Sequence, residues 1–226
     1  MEMVKEASCN SCTSSSSDTE ERGRPEHVRR ALRLEYLTVG WNIVEGIVAV
    51  TAAVLAGSVA LLGFGIDSFV ECASGFVMIW RLRAETAHRL TSQALDAVER
   101  RAQRLVALSL FVLAAYVAFD AGQALWNGER PEFTLVGVGI TSLSLLVMRW
   151  LARAKRRVAR QLGSRAMEAD AFQTTACVWL SLATLAGIGL NGALGWWWAD
   201  PLAALVVAAL VVKEGVEAWR GEHACC

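Results

Sequence analysis

Histidine is scarce. Only three occur in 226 residues, His27, His88 and His223, and none lies in an apolar stretch. Chemistry inside those stretches therefore lacks its commonest base, and no Gly-x-Ser-x-Gly elbow supplies a nucleophile. An excess of charge is missing too, since 22 basic residues balance 22 acidic ones. The basic runs flank hydrophobic segments and carry no interleaved aromatics for stacking on bases, so nucleic acid is not expected as a partner. The first thirty residues hold no apolar h-region, which argues against a signal peptide. With "SCTSSSSDTEERGRPE", residues 1–30 read as a flexible cytoplasmic tail containing serine and cysteine. Lysine numbers three against 19 arginines and alanine is abundant, an association that points to a GC-rich bacterial genome and so to the cell (plasma) membrane.

What the chain does have is hydrophobic length: 54% of its residues are hydrophobic and nine are tryptophan. A helical span takes about 20 mostly apolar residues. Six stretches qualify: Leu34–Ala56, Ser58–Leu82, Leu105–Trp126, Phe133–Leu151, Ala169–Leu190 and Trp197–Val212. The spacing predicts an all-α, multi-pass integral membrane protein of six transmembrane helices in a bilayer, with a spanning domain over 31–215 and a short cytoplasmic tail over 216–226. Tryptophans at 80, 126, 150 and 196–198 suit interfacial belts. Of the 22 basic residues only Arg130 falls on the other side from the rest. Lys and Arg in short loops stay in the cytoplasm, so both termini are predicted there. The six cysteines, Cys9, Cys12, Cys225 and Cys226 in the tails and Cys72 and Cys177 within spans, are expected as reduced thiols.

Each ionisable group in hydrocarbon costs roughly 2.5–3.5 kcal/mol even on the lenient insertion scale, so each needs a reason. In "GFGIDSFVECASG" Asp67 and Glu71 stand i, i+4 on one helix face. In "EADAFQTTACVWL" Asp170, Gln173 and Cys177 share a face of span five. A rise of about 1.5 Å per residue puts Asp67 roughly 13 Å and Glu71 roughly 20 Å below the outer boundary, and Cys177 roughly 12 Å above the inner one. If the two spans are neighbours, two carboxylates, a thiol and an amide meet near the midplane, a ligand set for a divalent cation whose charge offsets their burial. Asp67, Glu71, Gln173 and Cys177 are the candidate metal ligands, with Asp170 and Glu45 as accessory ones. Like charges four apart repel without a cation or proton, which argues against simple helix glue for the carboxylate pair. For Gln173 and Cys177 packing is an equal alternative. Asp200 before Pro201 reads as an N-cap. Asn42 suits a hydrogen bond as well as an ion contact, and Asp120 suits solvation at the outer mouth. The "CNSC" of Cys9 and Cys12, with His223, Cys225 and Cys226 at the other end, offers soft ligands in the tails.

"GSVALLGFGIDSFVE", "EADAFQTTACVWLSL" and "WWWADPLAALVVAALV" resemble the cation diffusion facilitator family, six-span exporters of divalent metals, over about residues 30–221. The resemblance implies a cation efflux transporter, not an enzyme, that works by alternating access between helices 2 and 5. It also implies proton antiport and a homodimer, with no cofactor beyond the transported metal. The family's span-two Asp-x-x-x-Asp is here Asp67 with Glu71, and its span-five His and Asp are replaced by Gln173 and Cys177. The formal charge of the set is again minus three if Cys177 is a thiolate, and the thiolate favours zinc, or cadmium, over magnesium and manganese. Gln173 cannot titrate, so protons would be exchanged by Asp67, Glu71 and Cys177. The family's cytoplasmic domain and its His-containing loop have no counterpart here. Two other readings are a non-transporting metal sensor or scaffold, and an intramembrane enzyme using Cys177.

Overall fold

The computed structural model describes residues 3–56, 59–87, 91–128 and 135–220, with most side chains from Arg24 onward. Cys9 and Cys12 of the expected tail precede that point, and His88, Arg130, His223, Cys225 and Cys226 lie outside the described residues. Six helices follow in order: α1 Met3–Ala56, α2 Val59–Ala87, α3 Ser92–Asn127, α4 Leu135–Leu162, α5 Arg165–Leu194 and α6 Ala199–Arg220. The described residues contain no strand, which agrees with the all-α expectation. The described part of each of the six expected spans lies on its own helix, save Trp197 and Trp198, which form the turn before α6. Two of the helices, over Gln93–Asn127 and Arg165–Asn191, are long and apolar enough to cross a membrane by length and composition alone.

α1 and α2 form an antiparallel hairpin in which glycine permits close approach. A Cβ at Gly65 would stand 2.7 Å from Val50 Cγ2, and one at Gly75 would stand 2.6 Å from Val39 Cγ2. Residue numbers fall along α1 as they rise along α2, which fixes the direction. α4 pairs with α5 and α3 with α6, while α5 also meets α2, α3 and α6. The centrality of α5 follows from its composition, because alanine and threonine dominate its buried face: Ala166, Ala169, Ala171, Thr174 and Ala176. Small side chains let four helices converge on it.

The boundaries differ from expectation in two instructive places. The sequence places the end of span four at Leu151, with the basic residues from Arg149 to Arg165 at its inner end, but α4 runs on as helix to Leu162. Its apolar positions Met148, Leu151, Ala152, Val158, Ala159 and Leu162 are all buried, a three-and-four spacing that makes one helix stripe against the bundle. The α4–α5 turn is then only two residues, Gly163 with φ +59° and Ser164, whose side chain accepts from the Met167 N–H at 3.2 Å as an N-cap. At the other correction, α6 starts at Ala199, so Asp200 sits in its first turn rather than at the cap. An acid there still complements the helix N-terminus.

At the end of the bundle marked by the α4–α5 turn, a chain of ion pairs and hydrogen bonds ties five helices. Arg24 of α1 meets Glu85 of α2 at 2.7 Å and also reaches the Leu162 carbonyl of α4 at 3.4 Å. Arg81 contacts Glu85 at 2.8 Å and Glu99 of α3 at 2.6 Å. Glu99 in turn accepts from Ser164 Oγ at 2.8 Å and the Ala166 N–H at 3.0 Å. The Glu99 carboxylate thus caps α5 from a neighbouring helix, where the positive end of the dipole favours it.

Candidate metal centre

The α1–α2 hairpin presents Asp67 and Glu71 toward α5, and α5 presents Cys177 and Thr174 in return. The Asp67 carboxyl is in side-chain contact with the Cys177 thiol. This contact joins two of the sequence-selected ligands, one from α2 and one from α5. Glu71, one turn along, is 3% exposed and is approached by Thr174 of α5 and Asn42 of α1. Glu45 of α1 is approached by Ser144 of α4 and Ser68 of α2. Gln173 turns away from this group: its Oε1 accepts from Ser109 Oγ of α3 at 2.8 Å. Asp170 is drawn off as well, since its two oxygens are taken by Ser74 Oγ and Lys155 Nζ, each at 2.6 Å. Among the described residues no three His, Cys, Asp or Glu side chains stand close enough together to hold a metal ion.

The polar atoms left without partners are as informative as the pairs. Asp67 Oδ1, Glu71 Oε1, Glu45 Oε1, Gln173 Nε2 and both amide atoms of Asn42 are buried with no hydrogen-bond partner among the described residues. A buried polar atom without a partner carries its desolvation cost in full. Four side chains from α1 and α2 in this condition in one region, with Gln173 of α5 as a fifth case, are far from the usual satisfaction of protein interiors. Of the orphan atoms, the three carboxylate oxygens and Asn42 Oδ1 suit a hard or borderline cation, while the amide nitrogens of Asn42 and Gln173 are hydrogen-bond donors. Cys177, buried and free, adds a soft ligand.

Sequence reasoning missed the residue that lies beneath this group. Lys155 of α4 is 0% exposed and pairs with Glu35 of α1 at 2.9 Å as well as with Asp170 of α5 at 2.6 Å. With Ser74 of α2 the cluster joins four helices through one ammonium. It was visible in principle, because Lys155 falls in register with the apolar stripe from Met148 to Leu162, while its arginine neighbours do not. Glu35, at the edge of span one, is its natural counter-charge.

Residues 36–220 match the family model described as the cation efflux transmembrane domain. The chain belongs to the cation efflux family. This agrees with the resemblance carried by spans two, five and six, and it makes the chain a membrane protein. This cation efflux protein is 27% identical over 177 residues to an uncharacterised transporter of Synechocystis sp., a match covering 76% of the chain and 54% of the relative. It is 24% identical over 187 residues to the cation-efflux pump FieF of Shewanella oneidensis, covering 78% of the chain and 61% of the pump. A probable cation efflux system protein of Mycobacterium tuberculosis is 27% identical over 190 residues, covering 81% and 54%. These relatives are named as pumps and transporters, not as enzymes. The chain spans a little over half the length of the curated relatives it matches.

Proposed function

We propose that this cation efflux protein exports a divalent metal ion, zinc above all, in exchange for protons. It uses a six-span bundle in the cell membrane with both termini in the cytoplasm, acts as a homodimer, and alternates access to a site between α2 and α5. The observation that carries this reading is the Asp67–Cys177 contact beside the unpartnered oxygens of Asp67 and Glu71. A cation entering there supplies the missing partner to both carboxylates and meets the thiol. Glu45 stands nearby with an unpartnered oxygen and completes the coordination, joined by Gln173 once a shift of the helices frees its Oε1 from Ser109. Asp170 is left outside the site, because Lys155 and Ser74 already occupy its oxygens.

Metal binding needs deprotonated ligands, so loading the site releases protons and unloading takes them up. Because Gln173 offers an amide with no titrating proton, the exchange runs through Asp67, Glu71 and Cys177. The test is zinc uptake into vesicles containing the purified chain, with and without an imposed pH gradient. Uptake that exceeds protein-free vesicles and grows several-fold with the gradient is expected. Uptake indifferent to the gradient removes the proton from the cycle, and no uptake at all leaves a sensor or scaffold.

A further inference from the structure

The arginines of α4 that do not join the interior networks line up on its outer surface. Arg149, Arg153 and Arg156 border a half-open cavity of about 180 Å³ between α4 and α5, closed on the other side by Thr175, Trp179 and Leu182. Arg156 donates to Thr175 Oγ1 at 3.2 Å. Among the described residues none of the three guanidinium groups has a carboxylate partner. Three uncompensated cations around one cavity repel each other unless an anion sits between them.

The surroundings specify what kind of anion. The remaining lining, Ala152, Val178, Trp179 and Leu182, is apolar, so the cavity has a charged rim and a greasy wall. Just beyond it the same surface exposes Leu143, Leu146 and Trp150 of α4, large apolar side chains turned outward in a membrane protein. Basic groups give way to exposed apolar ones along a single face, which is the profile of the boundary between headgroups and acyl chains. A guanidinium fork binds phosphate oxygens in pairs, and an indole favours that boundary. We propose that this cavity is a binding site for an anionic phospholipid, its phosphate held by Arg149, Arg153 and Arg156 and its acyl chains lying against Trp179, Leu182 and Leu146. The amphipathic lining favours a lipid over a soluble phosphate, which would leave the apolar wall bare. The proposal rests on the membrane setting of the chain and is independent of the metal site.

The test uses the full chain in nanodiscs of mixed phosphatidylglycerol and phosphatidylethanolamine, transferred to detergent and weighed by native mass spectrometry. Wild type is expected to retain phosphatidylglycerol in preference by about tenfold or more, given three arginines at the membrane surface. The variant Arg149→Gln/Arg153→Gln/Arg156→Gln loses that preference, while Arg157→Gln/Arg160→Gln, on the same helix outside the cavity, keeps it. Excess glycerol 3-phosphate leaves the bound lipid in place. If the triple variant fails to fold, Arg153→Gln alone carries the comparison, with an expected loss of several-fold. Retention of the preference in a folded variant overturns the proposal. So does displacement by glycerol 3-phosphate, which marks a free-anion site, or a wild-type dimer that the arginine variants break without change in lipid, which marks the face as an interface between copies.

Discussion

Asp67→Asn and Glu71→Gln each reduce vesicle zinc uptake by at least about 100-fold, beyond the range seen when only an outer-shell partner of a metal ligand is lost. Both changes keep the shape of the side chain and remove its charge. Neither carboxylate oxygen left unpartnered in the interior contributes to the fold through a hydrogen bond, so the amides do not break one. The variants should therefore insert and accumulate like wild type, and neutralising a buried carboxylate can even raise stability. Loss of uptake with unchanged or higher thermal stability is the signature of a site residue. Uptake within threefold of wild type for either variant removes that residue from the site, whatever its position in the bundle.

The second large effect is structural. Lys155→Met lowers stability by about 3–5 kcal/mol, because it leaves the buried carboxylates of Glu35 and Asp170 without their shared cation. Methionine fills nearly the same volume, so the loss is electrostatic and not a cavity. Adding Glu35→Gln and Asp170→Asn to the same chain restores most of it, since a buried polar cluster without net charge needs no counter-ion. Thermal unfolding in mild detergent, followed by tryptophan fluorescence, reads both steps. A single Lys155→Met variant as stable as wild type contradicts the arrangement, as does a triple variant no better than the single one.

Much of this molecule is legible in its sequence, and the part that is not has a clear physical origin. Apolar length alone located the six helices, since a buried span is written in nearly every residue it contains. Asp67 and Glu71 stood out because charge is rare in such a setting, and Cys177 followed from its register on α5. What the sequence hides is orientation about the helix axis. Gln173 shares a face with Asp170 and Cys177 in a helical projection, yet Ser109 of α3 claims its oxygen and Lys155 claims Asp170. One face of α5 is thus divided among three neighbours, and only the packing decides which side chain goes to which. Lys155 was hidden for a different reason. Six of the seven basic residues from Arg149 to Arg165 are arginines, which invited a single reading of the run as a wet connection. The helix that continues through it buries one of them and exposes Arg149, Arg153, Arg156, Arg157 and Arg160.

The family resemblance implies a histidine and an aspartate where this chain has Gln173 and Cys177, so the thiol is where the account is most exposed. X-ray absorption at the zinc edge reads it directly. The sample is the full chain with Cys9, Cys12, Cys72, Cys225 and Cys226 changed to serine and Cys177 retained, loaded with less than one equivalent of zinc. The account predicts one sulfur neighbour at about 2.3 Å among oxygen ligands, lost on Cys177→Ser. A shell of oxygen and nitrogen alone, unchanged by Cys177→Ser, would contradict it and return Cys177 to the core of the bundle.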